Sequence, residues 1–144
     1  MSFLQNLEPG LDQLKVGLGY DHNWVFNNWD GTLKLGVTLF EPESGRFMEV
    51  FTTEPGVQFY SGNFLDGTNI GKNQKAYQYR SALCLETDHF PDSQNNSNFP
   101  SVVLRPGEEY KQKTFYMRKL RIFLQMQLHN LPKMLHMDCL FLPQ

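Results

Sequence analysis

Short runs of alternating apolar and polar residues, separated by turn sequences, occupy most of the chain between residues 23 and 116. In the clearest run, one face is predicted to hold Leu33, Leu35, Val37 and Leu39 and the other Lys34, Gly36 and Thr38. The Asp30-Gly31 pair just before it is a strong hairpin signal. Similar runs are RFMEVFTT, PGVQFYSGNF and residues 23–27, 80–87 and 111–116. The pattern predicts an all-β domain of antiparallel strands.

Length, charge and cysteine content exclude several classes of protein. A chain of 144 residues is long enough for one domain with its own core. Its 13 Lys and Arg against 15 Asp and Glu lack the positive balance needed to bind nucleic acid or an anionic membrane. Cys84 and Cys139 have neither disulfide-framework nor zinc-ligand spacing, and no metal or cofactor motif is present. We therefore expect no metal and no cofactor.

The absence of a signal-peptide pattern and of a long apolar run predicts a cytoplasmic protein. Since the charge is nearly balanced, its partner is expected to be uncharged. The aromatic content of 14% suits a β-rich core or a site that stacks on sugar rings.

The last part of the chain follows a different pattern. After Met117, apolar residues recur at helical spacing until Pro132, namely Leu120, Phe123, Leu124, Leu128 and Leu131. The sequence thus predicts a β domain over 1–116 and an atypical apolar tail with a helical segment over 117–144. The polar, Gly-containing stretch 65–78 is predicted to be a long surface loop.

Three polar residues lie within apolar strand contexts: Asp21 in GYDHNWV, Gln58 in PGVQFYSGN and Glu86 in LCLETDHFPD. Each has an ordinary structural explanation, because Asp21 could cap a turn, Gln58 could face outward and Glu86 could be solvated at a strand end. However, Gln58 shares its predicted strand face with Tyr60 and Gly62, and Glu86 shares its face with Ala82 and Cys84. Faces lined by small or amphipathic residues leave room for a ligand.

Four segments carry a family resemblance: GYDHNWV, EPESGRFMEVFTTEPGVQFYSGNFLDG, RSALCLETDHFPDSQNNSNFPS and VLRPGEEY. In order and spacing they closely resemble the C-terminal part of the aldose 1-epimerases, or galactose mutarotases, from about Gly17 to Tyr116. The resemblance implies an antiparallel β-sandwich, incomplete here, whose concave face binds a free hexose such as galactose or glucose. It implies interconversion of the α and β anomers without a cofactor.

The resemblance also implies roles for the three polar residues. Glu86, in the LET-x-HFPD motif, corresponds to the family's catalytic base, and Asp21 and Gln58 correspond to residues that bind sugar hydroxyls. A base that removes the C1 hydroxyl proton and an acid that protonates the ring oxygen suffice to open the ring. Asp88 stands where the family commonly has glutamine.

The family's general acid is a histidine in an N-terminal portion that the resemblance does not cover, and neither His22 nor His89 is assigned that role. One explanation is a truncated reading frame, whose exposed strand edges would favour self-association. The alternatives to an active epimerase are a non-catalytic sugar-binding fragment and a fragment without function. A hexose 6-phosphate substrate is disfavoured because the basic residues are scattered.

Overall fold

The computed structural model describes residues 12–120 and the two short segments 135–137 and 139–141. It contains one short helix, eight strands and two turns of 3-10 helix at Lys72–Gln74 and Ser93–Asn95. The helix and strands are α1 (Asp12–Val16), β1 (Asp21–Phe26), β2 (Lys34–Glu41), β3 (Arg46–Thr52), β4 (Gly56–Tyr60), β5 (Cys84–Asp88), β6 (Thr114–Leu120), β7 (Leu135–Met137) and β8 (Cys139–Phe141).

The strands form two antiparallel sheets. In the first sheet the order is β5-β4-β1-β8, and in the second it is β6-β3-β2-β7. The prediction of an all-β, antiparallel sandwich is confirmed. None of the helices in the described part of the chain is long and apolar enough to cross a lipid bilayer.

The core lies between the two sheets. The first sheet contributes Phe26, Val57, Phe59 and Leu85, and the second contributes Val37 and Val50. Val57 is fully buried and Val37 is 1% exposed. Because side chains alternate along a strand, the residues between these apolar ones on β1, β4 and β5 point to the opposite face of the first sheet.

The predicted single apolar face of residues 33–39 is wrong at one point. Leu35 pairs with Phe51 and Val37 pairs with Val50, so a β-bulge at Gly36 places Leu35 and Val37 on opposite faces. Leu35 is consequently 45% exposed. Glycine is required at the bulge because a Cβ at position 36 would lie 2.6 Å from Cε1 of Phe26.

The described residues of the predicted apolar tail lie in strands. Strand β6 continues beyond Tyr116 to Leu120, so the first residues of the predicted tail belong to the second sheet. The predicted helical segment otherwise lies outside the described residues. The described remainder, β7 and β8, pairs with β2 and β1 respectively.

Candidate active site

The face of the first sheet that points away from the core brings together the three polar residues singled out from the sequence. In the strand register, Gln58 on β4 lies between Asn23 on β1 and Glu86 on β5. The adjacent row along the strands is Asp21, Tyr60 and Cys84. Residues directly opposite in antiparallel strands share a face, so these six side chains form one surface. Together with Asp88, which follows Glu86 on the same side of β5, we call this surface the polar face.

Asp21 and Gln58 contact each other directly. Gln58 donates a hydrogen bond from Nε2 to Oδ1 of Asp21 at 2.9 Å. The other end of the amide, Oε1 of Gln58, is buried and has no hydrogen-bond partner among the described residues. A buried carbonyl oxygen without a donor is costly, by about 1–3 kcal/mol. Gln58 therefore presents an acceptor suited to a ligand hydroxyl.

Glu86 is exposed at the outer strand of the described sheet and lies opposite Gln58. Its carboxylate influences its neighbours. The pKa of the Cys84 thiol is raised by burial and by the negative charges of Glu86 and Asp21. A thiol with a raised pKa is protonated and a poor nucleophile at neutral pH, so Cys84 is not a candidate nucleophile.

Another side-chain hydrogen bond joins β1 to β5 across the strand between them, β4, at the position of Gly56. Asn23, which is only 3% exposed, donates from Nδ2 to Oδ1 of Asp88 at 2.8 Å. Gly56 lies directly opposite Asp88, and a Cβ there would approach Oδ1 of Asn23 to 2.8 Å. The absence of a side chain at Gly56 thus allows β1 and β5 to bond across the strand between them.

Asp88 has an unusual electrostatic environment. Burial raises the pKa of its carboxyl group, and the nearby carboxylates of Glu54 and Glu86 raise it further. The hydrogen bond from Asn23 and the charge of His89 act in the opposite direction but do not cancel the rise. In the sequence, Asp88 is notable only because the family commonly has glutamine at this position.

Sequence reasoning missed the pairing of Glu54 with His89. The Glu54 side chain is 4% exposed, and its Oε2 lies 2.7 Å from Nδ1 of His89. Glu54 precedes β4 and His89 follows β5, so this contact fixes the end of β5 against β4. It thereby positions Glu86 relative to Gln58. The sequence shows only that Glu54 precedes Pro55, a pattern that is equally typical of a solvent-exposed turn.

A buried cluster at the start of β1 was also missed. Ser61 donates to Oδ1 of Asn63, and the Asn63 amide donates to the carbonyl oxygens of Gly17 at 3.1 Å and Tyr20 at 2.8 Å. The hydroxyl of Ser61 in turn accepts from the backbone N–H of Tyr20 at 2.9 Å. These bonds hold the backbone immediately before Asp21.

His22 follows Asp21 on β1. His22 accepts a hydrogen bond at Nδ1 from the backbone N–H of Asp21, and burial lowers its pKa although the charge of Asp21 raises it. Its side chain belongs to the face opposite the polar face, since it pairs with Phe59. In the described segments, no group of three or more His, Cys, Asp or Glu side chains could hold a metal ion.

The sequence profile of the family described as Aldose 1-epimerase matches residues 4–117, a range that contains Asp21, Gln58 and Glu86. The chain belongs to the aldose 1-epimerase family. It is 50% identical to the galactose mutarotase of Mus musculus over 98 residues, which are 68% of this chain and 28% of the mouse protein. Identity to the galactose mutarotase of Homo sapiens is 48% over 98 residues, again 68% of this chain and 28% of that protein.

A bacterial relative extends the comparison. The aldose 1-epimerase of Escherichia coli (strain K12) is 38% identical over 107 residues, which are 73% of this chain and 30% of the bacterial protein. The chain thus spans about three tenths of the length of these curated relatives. The predicted membership in the aldose 1-epimerase family is confirmed, while the individual roles of Asp21, Gln58 and Glu86 stay predictions.

Proposed function

We propose that this member of the aldose 1-epimerase family interconverts the α and β anomers of free hexoses such as galactose and glucose. The observation that carries the proposal is the alignment of Gln58 between Asn23 and Glu86, with Asp21 bonded to Gln58, on the open face of the sheet. The proposed base and the two proposed hydroxyl-binding residues lie in two adjacent rows of residues across the strands. This arrangement fits one sugar ring.

In this proposal Glu86 is the base. Its carboxylate is exposed, so the C1 hydroxyl of a bound hexose can approach it, and the carboxylate accepts the hydroxyl proton as the C1 oxygen becomes a carbonyl. The bond between C1 and the ring oxygen then breaks with its electron pair on the ring oxygen, which takes a proton from a general acid or from water, and the open-chain aldehyde results. Rotation about C1–C2 and ring closure yield the other anomer.

Asp21 and Gln58 bind sugar hydroxyls. Because the Nε2 of Gln58 is held by Asp21, the amide orientation is fixed and Oε1 is left as an acceptor without a partner among the described residues. A sugar hydroxyl would satisfy this buried acceptor. Next to them, Tyr60 and Phe64 stack with ring centroids 6.2 Å apart, and such exposed aromatic surface suits the apolar C–H face of a hexose.

A second candidate function is hexose binding without turnover. The same contact between Asp21 and Gln58 favours it, because these residues would hold a sugar whether or not a proton donor completes the reaction.

We further propose that the protein acts in a reducing, cytoplasmic compartment, in agreement with the free thiol of Cys84.

The test is the rate of anomer exchange of α-D-galactose and α-D-glucose, followed by polarimetry with the purified chain, Glu86→Gln and the matched control Glu109→Gln. Glu109 is exposed, pairs with Lys111 and is not one of the residues that form the polar face. We expect Glu86→Gln to lower the rate by roughly 10²- to 10⁴-fold and Glu109→Gln to leave it unchanged. Full activity in Glu86→Gln would falsify the assignment of the base. Hexose binding by both proteins without exchange would favour the second function.

A further inference from the structure

The strand that carries Glu86 is anchored to the second sheet by side chains. β5 is the outermost strand in the described part of the first sheet, and its backbone pairs with β4. On the other side, Tyr116 of β6 donates a hydrogen bond from its phenol to the backbone carbonyl oxygen of Leu85 at 2.7 Å. This contact joins the two sheets at the residue immediately before Glu86.

A second contact lies immediately after Glu86. The hydroxyl oxygens of Thr87 and Thr114 are 2.7 Å apart, and the hydroxyl oxygen of Thr114 is 3.1 Å from that of Thr52. Thr114 and Tyr116 lie two positions apart on β6, so both side chains leave the same side of that strand. The residues before and after Glu86 are therefore both tied to β6.

These contacts hold the backbone of β5 without covering the Glu86 side chain. Since side chains alternate along a strand, Leu85 and Thr87 point to the core side of β5 and Glu86 points to the polar face. Leu85 is 6% exposed, whereas the Glu86 side chain is open to solvent. Burial raises the pKa of Tyr116, and the nearby carboxylate of Glu86 raises it further, which shows that the two groups are close. A displacement of Leu85 or Thr87 would move the Glu86 carboxylate relative to Gln58.

We propose that Tyr116 is a positioning residue for the proposed base, Glu86, and that the contact between Thr87 and Thr114 assists it. The inference rests on the proposed epimerase function. A base must lie within hydrogen-bond reach of the proton that it removes, and a misplacement of about 1 Å can lower a rate by roughly 10²-fold. A strand paired on one side opens more readily than a strand paired on both sides. The two side-chain contacts restrain β5 on the side where the described sheet ends.

The variants separate the hydroxyl contacts from packing. Tyr116→Phe removes the phenol hydroxyl and keeps the ring. Thr87→Val removes the second contact and keeps the branched shape, while Thr87→Ser keeps the hydroxyl and should behave like the unaltered chain. The matched control is Tyr110→Phe, because Tyr110 is 65% exposed and lies before β6.

The first measurement is anomer exchange of α-D-galactose over a range of concentrations, so that kcat and KM are obtained separately. We expect Tyr116→Phe to lower kcat by roughly 10- to 10²-fold and to leave KM within about 2-fold, because the geometry of the base changes and sugar binding does not. In Glu86→Gln, the same substitution should have no further effect on the residual rate, since Tyr116 acts through the base. Thr87→Val should also lower kcat, and Thr87→Ser and Tyr110→Phe should not.

The second measurement does not depend on activity. Amide hydrogen exchange of residues 85–87, followed by NMR, should be faster in Tyr116→Phe than in the unaltered chain and in Tyr110→Phe. Unchanged exchange at these amides overturns the anchoring of β5 by Tyr116, whatever the rate of anomer exchange.

The outcomes distinguish this proposal from the function on which it rests. A folded, unaltered chain that does not accelerate anomer exchange overturns the proposed function and, with it, the role of Tyr116 in catalysis. An active chain in which Tyr116→Phe keeps its kcat, or alters only KM, overturns the role of Tyr116 alone. The same holds if Tyr116→Phe lowers the rate by an equal factor with and without the carboxylate of Glu86.

Discussion

Replacement of Asn63 by alanine is expected to destabilise the protein strongly. Its side chain takes part in three hydrogen bonds, with Ser61, Gly17 and Tyr20, and the residue is 4% exposed. A typical intramolecular hydrogen bond contributes about 1 kcal/mol, so the loss of three amounts to about 3 kcal/mol. Water cannot easily replace the lost partners at such a buried site.

Urea unfolding followed by circular dichroism measures this loss. With a denaturant dependence of about 2 kcal/mol per molar urea, the midpoint should fall by roughly 1.5 M in Asn63→Ala. Asn63→Asp should fall further, because the carboxylate removes the amide donor and faces the carbonyl oxygens of Gly17 and Tyr20. Asn69→Ala, in the exposed loop, is the control and should shift the midpoint little. A loss below about 1 kcal/mol in both Asn63 variants would refute the view that this cluster holds the start of β1.

Two further predictions concern the contact across β4. Gly56→Ala should lower the free energy of unfolding, measured in urea, by about 1–3 kcal/mol. The added Cβ would lie 2.8 Å from Oδ1 of Asn23 and 3.0 Å from the carbonyl oxygen of Trp24. An unchanged urea midpoint would show that the strands adjust freely. The pH dependence of stability should differ between the unaltered chain and Asp88→Asn. Since the pKa of Asp88 is raised in the folded state, its contribution is complete below the unfolded pKa of about 3.9 and is lost as pH rises through the folded pKa. The free energy of unfolding of the unaltered chain minus that of Asp88→Asn, from urea titrations between pH 3 and pH 8, should therefore decrease with pH, and a constant or increasing difference would contradict the assignment.

The strands could be predicted from the sequence where local pattern and turn chemistry agree. The alternation of residues 46–53 predicts a strand that the structure contains, β3 at Arg46–Thr52. The hairpin predicted at Asp30-Gly31 is wrong, because the strands on either side of this turn, β1 and β2, lie in different sheets. The predicted run 33–39 shows the limit of this reasoning. Alternation alone cannot reveal a bulge, because Gly36 is needed to make room for the ring of Phe26, which comes from the other sheet.

The end of the chain shows a second limit. Helical spacing of apolar residues describes a local preference, whereas the addition of residues 117–120 to β6 depends on pairing with β3 along seven successive positions, Thr114–Leu120. Pairing between strands far apart in sequence overrides local pattern when it satisfies a row of backbone hydrogen bonds.

The candidate site was accessible to sequence reasoning only in part, for a physical reason. The alternation of side chains along each strand was enough to place Gln58 and Glu86 on faces with small neighbours. Which residues lie opposite each other on neighbouring strands depends on the register, and the register cannot be read from either strand alone. The register aligns Asn23, Gln58 and Glu86 in one row, and the glycine at position 56 then permits Asn23 to reach Asp88. Asn23 is thus a buried amide on the polar face, with its Nδ2 bonded to the carboxyl group of Asp88 and its Oδ1 without a partner among the described residues. A buried amide oxygen such as Oδ1 of Asn23 lowers the free energy of unfolding unless a proton donor or a ligand forms a hydrogen bond with it. The chemistry of the polar face therefore explains this arrangement better than stability does.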